Sequence, residues 1–224
     1  MRTAKEFNTF YKKKDPWGVL KSNDTRNIII KKIIEKYQTK KTLELGCGEG
    51  NFTKYFKKKH LICNDISSIA LNRLKIKYPK IKIIKGDMLK INFNNCDSIF
   101  AFECIYYLSK VERKKFFVKV KKFLTNNKVF IFSSPIIGNS IYRYYFTDSE
   151  LKKIFKELNV SLINEKKLNI FYSKKYKLDF FINLMIKIIF KLISICKLNK
   201  YRHLILNILP ERFIYQKVYV LKKS

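Results

Sequence analysis

The sequence predicts an α/β protein whose single β-sheet is mostly parallel and carries helices on both faces. Two observations support this fold class. Apolar segments of strand length alternate with segments of helical periodicity, as in chains of strand–helix–strand units. Four of the strand-like segments also end in an acid or run into one, at the edge where open α/β sheets bind ligands. These four segments are residues 42–45, 61–65, 81–88 and 98–102.

The first strand, residues 42–45, carries Glu44 near its end and is followed by Gly46, Gly48 and Gly50. Glycines permit the tight turn and the close backbone approach that a ligand at a sheet edge requires. We expect the Glu44 carboxylate to meet an ammonium or a hydroxyl group of the ligand. The loop reads G-C-G-E-G, whereas dinucleotide sites read G-x-G-x-x-G and place a pyrophosphate there, so NAD is disfavoured.

This loop resembles motif I of the class I S-adenosylmethionine-dependent methyltransferases, whose pattern is acidic-x-G-x-G-x-G. The resemblance implies a Rossmann-like sheet of seven strands with an antiparallel last strand, and S-adenosylmethionine as the cofactor. It also implies that Gly46, Cys47 and Gly48 contact the cofactor. A glycine turn beside an acid also occurs in ordinary loops that bind no ligand. The residues at the ends of the other strands are therefore needed to distinguish a cofactor loop from an ordinary one.

Two further acids end the next two strands. Residues 61–65 end at Asp65, and we expect one helix over residues 52–59 to lead into them. In a parallel sheet Asp65 can accept hydrogen bonds from both ribose hydroxyls. Residues 81–88 place Asp87 where the resembled family holds the adenine amino group. A single acid is more often a loop residue or a helix cap, but three at one edge favour a binding site. The cofactor site then includes Asp65, Ile66, Asp87 and Met88.

The fourth strand runs into the word E-C-I-Y-Y-L at residues 103–108, and a helix over residues 110–123 leads to a fifth strand at residues 129–133. Together with D-P-W at residues 15–17, this word resembles the nodulation-protein-S-like branch of the class I methyltransferases. That branch includes enzymes that methylate an amino sugar on a chito-oligosaccharide. The resemblance covers residues 10–155, and the rest of the chain shows only the general class I topology.

Glu103 lies at the crevice end of the fourth strand and is the best-placed carboxylate to take a proton from an amine or hydroxyl acceptor. A contact to the cofactor is its equal alternative. Tyr106 and Tyr107 are expected to orient the acceptor or to pack beneath it. In the resembled family the leading segment folds over the acceptor, which makes Tyr11 and Trp17 substrate-binding candidates. A plain packing role is the alternative for Trp17.

The remaining elements complete the predicted sheet. Residues 25–37 have helical periodicity, and a capping box at Thr147 and Glu150 predicts another helix start. The sixth strand is predicted at residues 160–163 with 168–171, and the seventh at 217–221. A chain of 224 residues suits one domain. Its parts are a cap (1–40), a cofactor-binding core (41–172), a helical insertion (173–212) and a last strand (213–224).

Residues 178–198 are almost wholly apolar, and their few polar residues recur every three or four positions. On a helix these form one narrow stripe beside a broad apolar face. The length approaches the thickness of a bilayer, but Lys187 and Lys191 in its middle are costly in a lipid-facing span. A helix lying in the membrane interface and a buried lid or oligomer contact are the two interpretations left.

The chain is strongly basic, with 49 lysines and arginines against 17 acids and a net charge of +32. Such a charge attracts polyanions, for example RNA or an acidic membrane. However, the lysines spread along the whole chain, and glycine and proline number only 6 and 4. AT-biased codon usage produces this composition without selection for binding. An RNA methyltransferase that uses the basic surface therefore stays the alternative function.

The five cysteines form no C-x-x-C pair and have no histidine at metal spacing. We therefore expect neither a metal site nor a disulfide framework. Thiols of this kind are typical of a reducing compartment, and the first 14 residues lack the apolar stretch of a secretory signal. The expected location is the cytoplasm, at the inner face of the membrane if residues 178–198 contact lipid.

The leading functional hypothesis is methylation of a small molecule or a glycan, such as an amino sugar or a lipid-linked sugar, on nitrogen or oxygen. RNA methylation is second. A non-catalytic binding protein on the same fold is third, and the intact acids Glu44, Asp65 and Asp87 count against it.

Overall fold

The computed structural model of the chain describes residues 3–13, 16, 25–125, 127–136, 145–170, 177–196, 198, 201–209 and 211–224. Within these residues seven strands form one sheet. In chain order they are β1 (Thr42–Leu45), β2 (Leu61–Asp65), β3 (Lys82–Lys85), β4 (Ser98–Ala101), β5 (Val129–Pro135), β6 (Val160–Ile170) and β7 (Ile214–Lys223).

The strands lie side by side in the order β3-β2-β1-β4-β5-β7-β6. The pairs among β1 to β5 are parallel, whereas β7 runs antiparallel to both of its neighbours, β5 and β6. This confirms the mostly parallel sheet with an antiparallel last strand. Because β6 has the same direction as β1 to β5, the carboxyl ends of all six strands lie at one edge of the sheet.

Seven α-helices accompany the sheet in the same part of the chain. They are α1 (Ala4–Phe10), α2 (Thr25–Tyr37), α3 (Ser68–Lys77), α4 (Lys110–Phe123), α5 (Asp148–Glu157), α6 (Lys177–Ile195) and α7 (Arg202–Ile208). The helices predicted at residues 25–37 and 110–123 are confirmed. The predicted capping box is confirmed too, because the Thr147 hydroxyl accepts from the Glu150 N–H at 3.1 Å and the Glu150 carboxylate accepts from the Thr147 N–H at 2.8 Å.

The helix predicted over residues 52–59 is wrong, because this stretch forms two single 3₁₀ turns, Thr53–Tyr55 and Lys58–His60. The glycine loop uses the chain up to Phe52, so few residues remain before β2, and helical crossovers between parallel strands commonly need a dozen or more. Phe56 between the turns is extended and packs its ring edge-on against Phe100 at 5.0 Å.

The leading helix α1 was not predicted, although its start carries a capping box. The Thr3 hydroxyl accepts from the Glu6 N–H at 3.3 Å, and the Glu6 carboxylate accepts from the Thr3 N–H at 2.6 Å. This reciprocal pair satisfies two of the N–H groups that a helix start leaves without partners. The word T-x-x-E at residues 3–6 was the signal in the sequence that could have found the helix.

An aromatic layer fixes α4 on the sheet. The ring of Phe116 lies 5.8 Å from Phe130, and the ring of Phe117 lies 5.6 Å from Phe132. All four side chains are buried. Burial of a side chain of this size stabilises the fold by about 1.5–3 kcal/mol. The layer therefore holds α4 on β5.

The insertion between β6 and β7 is helical, as predicted, and contains α6 and α7. α7 packs against β6 and α2. α6 is anchored by Ile186, which is 3% exposed. Among the helices that the structure describes, none has the length and apolar character required to cross a membrane.

Candidate functional site

A cavity of about 460 Å³ opens at the carboxyl ends of β1 to β4. This volume lies in the range of sites for small ligands. Of the predicted site residues, those that line the cavity come from the leading segment and from all four strand ends. They are Tyr11, Gly46, Cys47, Gly48, Asp65, Ile66, Asp87, Met88, Glu103, Tyr106 and Tyr107. Trp17 lies outside the described residues.

The glycine loop after β1 forms the floor of the cavity. Gly46 and Gly48 have φ of +62° and +56°, in the left-handed region that favours glycine. A Cβ atom at Gly46 would lie 2.5 Å from the Cβ of Cys104, and one at Gly48 would overlap the Tyr11 hydroxyl. Cys104 and Tyr11 can therefore approach the loop this closely only because these two residues have no side chains.

Asp65 joins the end of β2 to this loop. One carboxylate oxygen, Oδ2, accepts from the Gly48 N–H at 2.8 Å, and Oδ1 accepts from the Ser67 N–H at 2.8 Å. Burial raises the pKa of Asp65, while these backbone donors lower it. Each oxygen keeps a second lone pair that can accept from a ligand hydroxyl.

Asn64 is a site residue that the sequence analysis missed. Its side-chain amide donates to the carbonyl oxygens of Ile84 and Gly86 at 3.0 and 2.9 Å. The backbone carbonyl oxygen of Asn64 accepts from the Cys47 N–H at 3.0 Å. The side chain of this residue therefore joins the end of β2 to the turn that carries Asp87, and its backbone joins β2 to the glycine loop. An asparagine inside an apolar strand was the available signal.

The structure places Glu44 outside the cavity lining, whereas the sequence analysis expected its carboxylate to meet a ligand group there. Oε2 accepts from the Thr53 hydroxyl at 2.7 Å and from the Cys63 thiol at 3.5 Å. Burial raises the pKa of Glu44 to about 7. The neighbouring acid Glu49 also turns away and pairs with Arg73 at 3.3 Å. Glu44 thus binds Thr53, which follows the glycine loop, and holds the loop against β1.

Glu103 follows β4 in a strained conformation, with φ of +56°. Such a φ is uncommon for a residue with a side chain and persists where the surroundings enforce it. Oε1 accepts from the Ser133 hydroxyl of β5 at 2.9 Å and from the side-chain amide of Gln216 in β7. No described residue donates to Oε2. The carboxylate leans toward β5 and β7, whereas the glycine loop follows β1 on the other side of β4.

The leading helix covers the cavity. Phe7 and Tyr11 line it, and the ring of Phe7 lies edge-on to Tyr107 with 5.2 Å between centroids. Asn8 fastens α1 to the start of α3, because its Oδ1 accepts from the Ser67 hydroxyl at 2.7 Å. Ser67 also caps α3 through the Ala70 N–H. A cover that is held in this way excludes water from the site beneath it.

The two tyrosines of the E-C-I-Y-Y-L word lie in a 3₁₀ turn, Ile105–Tyr107. Their ring centroids are 4.6 Å apart, and both side chains line the cavity on the side of Glu103. The predicted acceptor-side residues therefore lie together, with the exception of Trp17, which is not described.

The thiols at the site are buried. Cys47, Cys63 and Cys104 have no disulfide partner, and burial raises the pKa of Cys104 well above its usual range. The described ranges of the chain contain no group of three or more His, Cys, Asp or Glu side chains placed to hold a metal ion.

Comparison with known proteins gives the following matches. Residues 42–127 match a family model described as a methyltransferase domain. No curated protein sequence matches the chain. The fold is similar to that of the 1,6-didemethyltoxoflavin-N1-methyltransferase of Burkholderia thailandensis, solved with 1,6-didemethyltoxoflavin and S-adenosylhomocysteine bound. The TM-score is 0.64 at 12% identity, over 99% of this chain and 87% of that one.

Two further solved structures have the same fold. One is an S-adenosylmethionine-dependent methyltransferase from Clostridium acetobutylicum, with a TM-score of 0.59 at 16% identity over 98% of each chain. The other is the magnesium protoporphyrin IX methyltransferase of Synechocystis with bound S-adenosylmethionine. Its TM-score is 0.60 at 9% identity, over 100% of this chain and 98% of that one.

The structural similarities establish the fold, and the family match covers β1 to α4, the segment that contains the glycine loop and the acids Asp65, Asp87 and Glu103. The chain therefore contains a segment that matches a methyltransferase domain, and it has the fold of solved S-adenosylmethionine-dependent methyltransferases.

Proposed function

We propose that this enzyme methylates a small molecule or a glycan, with an amino sugar or a lipid-linked sugar as the leading acceptor class. The single observation that carries the proposal is the shared cavity. One end holds the glycine loop with Asp65, and the other holds Glu103 and two tyrosines. The resemblance of residues 103–108 to the nodulation-protein-S-like branch supports a sugar as the acceptor.

The residues at the loop end fit S-adenosylmethionine. Backbone atoms of Gly46, Cys47 and Gly48 would contact it, because these residues line the cavity and the two glycines have no side chain to keep a ligand from the backbone. Asp65 would accept from the ribose hydroxyls. Asp87 would accept from the adenine amino group, with Ile66 and Met88 against the ring. Asp87 is preset for this role, since its Oδ1 accepts from the Leu89 N–H at 2.9 Å and fixes the turn.

When bound, S-adenosylmethionine supplies an electrophilic methyl group on a positively charged sulfur. The protein has to align the acceptor atom with that group and to exclude water. Phe7 and Tyr11 of the leading segment cover the cavity, and Tyr106 and Tyr107 form the wall beside Glu103. These aromatic side chains would orient the acceptor.

Glu103 would take the proton that the acceptor loses. An amine has to be unprotonated to react, and a sugar hydroxyl has to release its proton, so a base within reach would assist methyl transfer to either acceptor. Ser133 and Gln216 hold Oε1 in place, and Oε2 has no donor among the described residues. Oε2 is therefore the atom that we assign to proton transfer.

The net charge of +32 supports a second candidate acceptor, RNA. The test is transfer of labelled methyl from S-adenosylmethionine into an extract separated into RNA, protein, lipid and glycan fractions, with Asp65→Ala as the control. Label in the glycan or lipid fraction supports the proposal. Label in RNA alone would show that the basic surface selects the acceptor and that the proposal is wrong.

A further inference from the structure

The outward side of α6 is apolar over most of its described length. Met185, Ile188, Leu192 and Ile195 are between 50% and 66% exposed, and Leu184 is 46% exposed. We call these five side chains the outer face. A continuous apolar surface of this kind on a folded protein marks a contact with another apolar surface.

The inward side of the same helix is fixed to the domain. Ile186 is buried, and Ile182 and Phe190 pack against the core cluster. The backbone carbonyl of Phe190 also accepts from the Arg202 guanidinium at 3.0 Å. The outer face therefore does not result from a loose helix, because the helix is held in place by its opposite side.

Lys187 and Lys191 are exposed and lie one turn apart along one border of the outer face. A helix with exposed apolar residues bordered by lysines is typical of a segment that lies in a membrane interface. The apolar side chains enter the boundary of the acyl chains, and the lysine stems reach back to the headgroups. Further lysines flank the helix in sequence, at residues 174, 175, 197 and 200.

We propose that the outer face of α6 docks this enzyme on the surface of an anionic lipid bilayer. Charge favours a bilayer over a second copy of the chain, because two copies carrying +32 each would bring their lysines together. The width of the outer face favours a bilayer as well. The outer face includes Leu184 beside the row of Met185, Ile188, Leu192 and Ile195, which makes it broader than the narrow seam of a two-helix contact.

The insertion that contains α6 is attached to the sheet at the edge where the cavity opens. The insertion leaves the sheet at the end of β6 and returns at the start of β7, and the carboxyl end of β6 lies at the edge where the cavity opens. Gln216, near the start of β7, donates to Glu103 in the cavity. Docking would thus bring the cavity edge toward the lipid headgroups. This step rests on the proposed function and favours an acceptor whose sugar is attached to a lipid.

The test is sedimentation of the full chain with phosphatidylcholine vesicles, with and without one quarter phosphatidylglycerol. The double variant Ile188→Asn/Leu192→Asn should bind the anionic vesicles roughly tenfold more weakly or worse. Its matched control is Ile76→Asn/Val111→Asn, which changes exposed apolar residues of α3 and α4 and should bind as the parent does. Circular dichroism of each variant confirms that it is folded.

A second pair of variants tests whether vesicle binding depends on Lys187 and Lys191 in particular or on the total positive charge of the chain. Lys187→Gln/Lys191→Gln should weaken binding to the anionic vesicles roughly tenfold. Lys114→Gln/Lys121→Gln removes the same charge from exposed positions of α4 and should have a much smaller effect. Equal effects of the two charge variants, or unchanged binding of the Ile188→Asn/Leu192→Asn variant, would overturn the proposal. So would a dimer in light scattering that this variant dissociates. Vesicle binding does not depend on methyl transfer, so the two proposals fail separately.

Discussion

The side-chain amide of Gln216 in the last strand donates a hydrogen bond to Oε1 of Glu103, the acid that follows β4. The Ser133 hydroxyl donates to the same oxygen at 2.9 Å, and the Glu103 N–H donates to the Ser133 oxygen at 3.0 Å. Three strands thus determine the position of one carboxylate whose backbone is strained. Strain that the surroundings maintain in this way is typical of functional sites.

Replacing Glu103 with glutamine keeps its size and its place in this network but removes the proton acceptor. We expect kcat to fall by roughly 10²- to 10⁴-fold, because that is the usual contribution of a general base. Affinity for S-adenosylhomocysteine should stay within about threefold, since the carboxylate leans toward β5 and β7. The measurement is methyl transfer into the extract fraction that the wild-type enzyme labels.

Ser133→Ala serves as the companion variant. It removes one of the two donors to Oε1 and should lower kcat by about tenfold while leaving KM nearly unchanged, as expected for a positioning residue. A Glu103→Gln enzyme with wild-type kcat would show that the acceptor needs no base from this position.

Gly48→Ala should abolish binding of S-adenosylhomocysteine. The new Cβ would overlap the Tyr11 hydroxyl, and the φ of +56° adds about 1–2 kcal/mol of strain for a residue with a side chain. The double variant Gly48→Ala/Tyr11→Phe removes the overlapping hydroxyl, so it should regain part of the binding, whereas the strain remains. Calorimetric titration of both variants measures this difference. If the single variant binds as the wild type does, the cavity floor is not where the structure places it.

Glu44 should make the free energy of unfolding dependent on pH. Burial raises its pKa from 4.5 to about 7, so the folded protein holds this proton to a higher pH than the unfolded chain does. The contribution of Glu44 to the free energy of unfolding is therefore fully present below pH 4.5 and is lost as pH rises through about 7, by about 3 kcal/mol in total. Glu44→Gln is neutral at every pH and should lack this part of the decline.

Urea unfolding at pH 5 and pH 8 compares the two proteins. The wild type should lose more stability than Glu44→Gln between these values. An equal loss in both would mean that Glu44 is ionised in the folded protein across this range.

Asn8→Ala should loosen the cover of the cavity. The change removes the acceptor for the Ser67 hydroxyl, a bond worth about 0.5–1.5 kcal/mol, so α1 should be cleaved several-fold faster by a protease. The control is Thr9→Ala in the same helix, whose hydroxyl donates only to the Lys5 carbonyl. Cleavage of α1 at equal rates in the two variants would contradict the fastening role of Asn8.

The sheet was predictable from the sequence because each strand carries its own local signal. Apolar runs of four or five residues and the acids that follow them located β1, β2 and β4, and the glycine loop located the edge of the sheet that binds ligands. The capping box at Thr147 and Glu150 likewise marked the start of α5. Signals of this kind depend on neighbours in the chain, and therefore a single sequence contains them.

The errors concern contacts between residues that are distant in the sequence. Glu44 was expected to face a ligand, but the side on which a buried strand residue lies depends on Thr53 and Cys63, which lie elsewhere in the fold. The pairing of Gln216 with Glu103 spans 113 positions and has no local signal. The failed helix over residues 52–59 reflects the limited chain length between the glycine loop and β2.

The most direct test of the account is a calorimetric titration of S-adenosylhomocysteine into the wild-type chain and into Asp65→Ala. Asp97→Ala is the control, because Asp97 lies outside the cavity lining. The account predicts that the wild type and the control bind equally, and that Asp65→Ala binds at least about 100-fold more weakly, since hydrogen bonds to a charged group are strong. Unchanged affinity of Asp65→Ala would contradict the assignment of this cavity as the cofactor site.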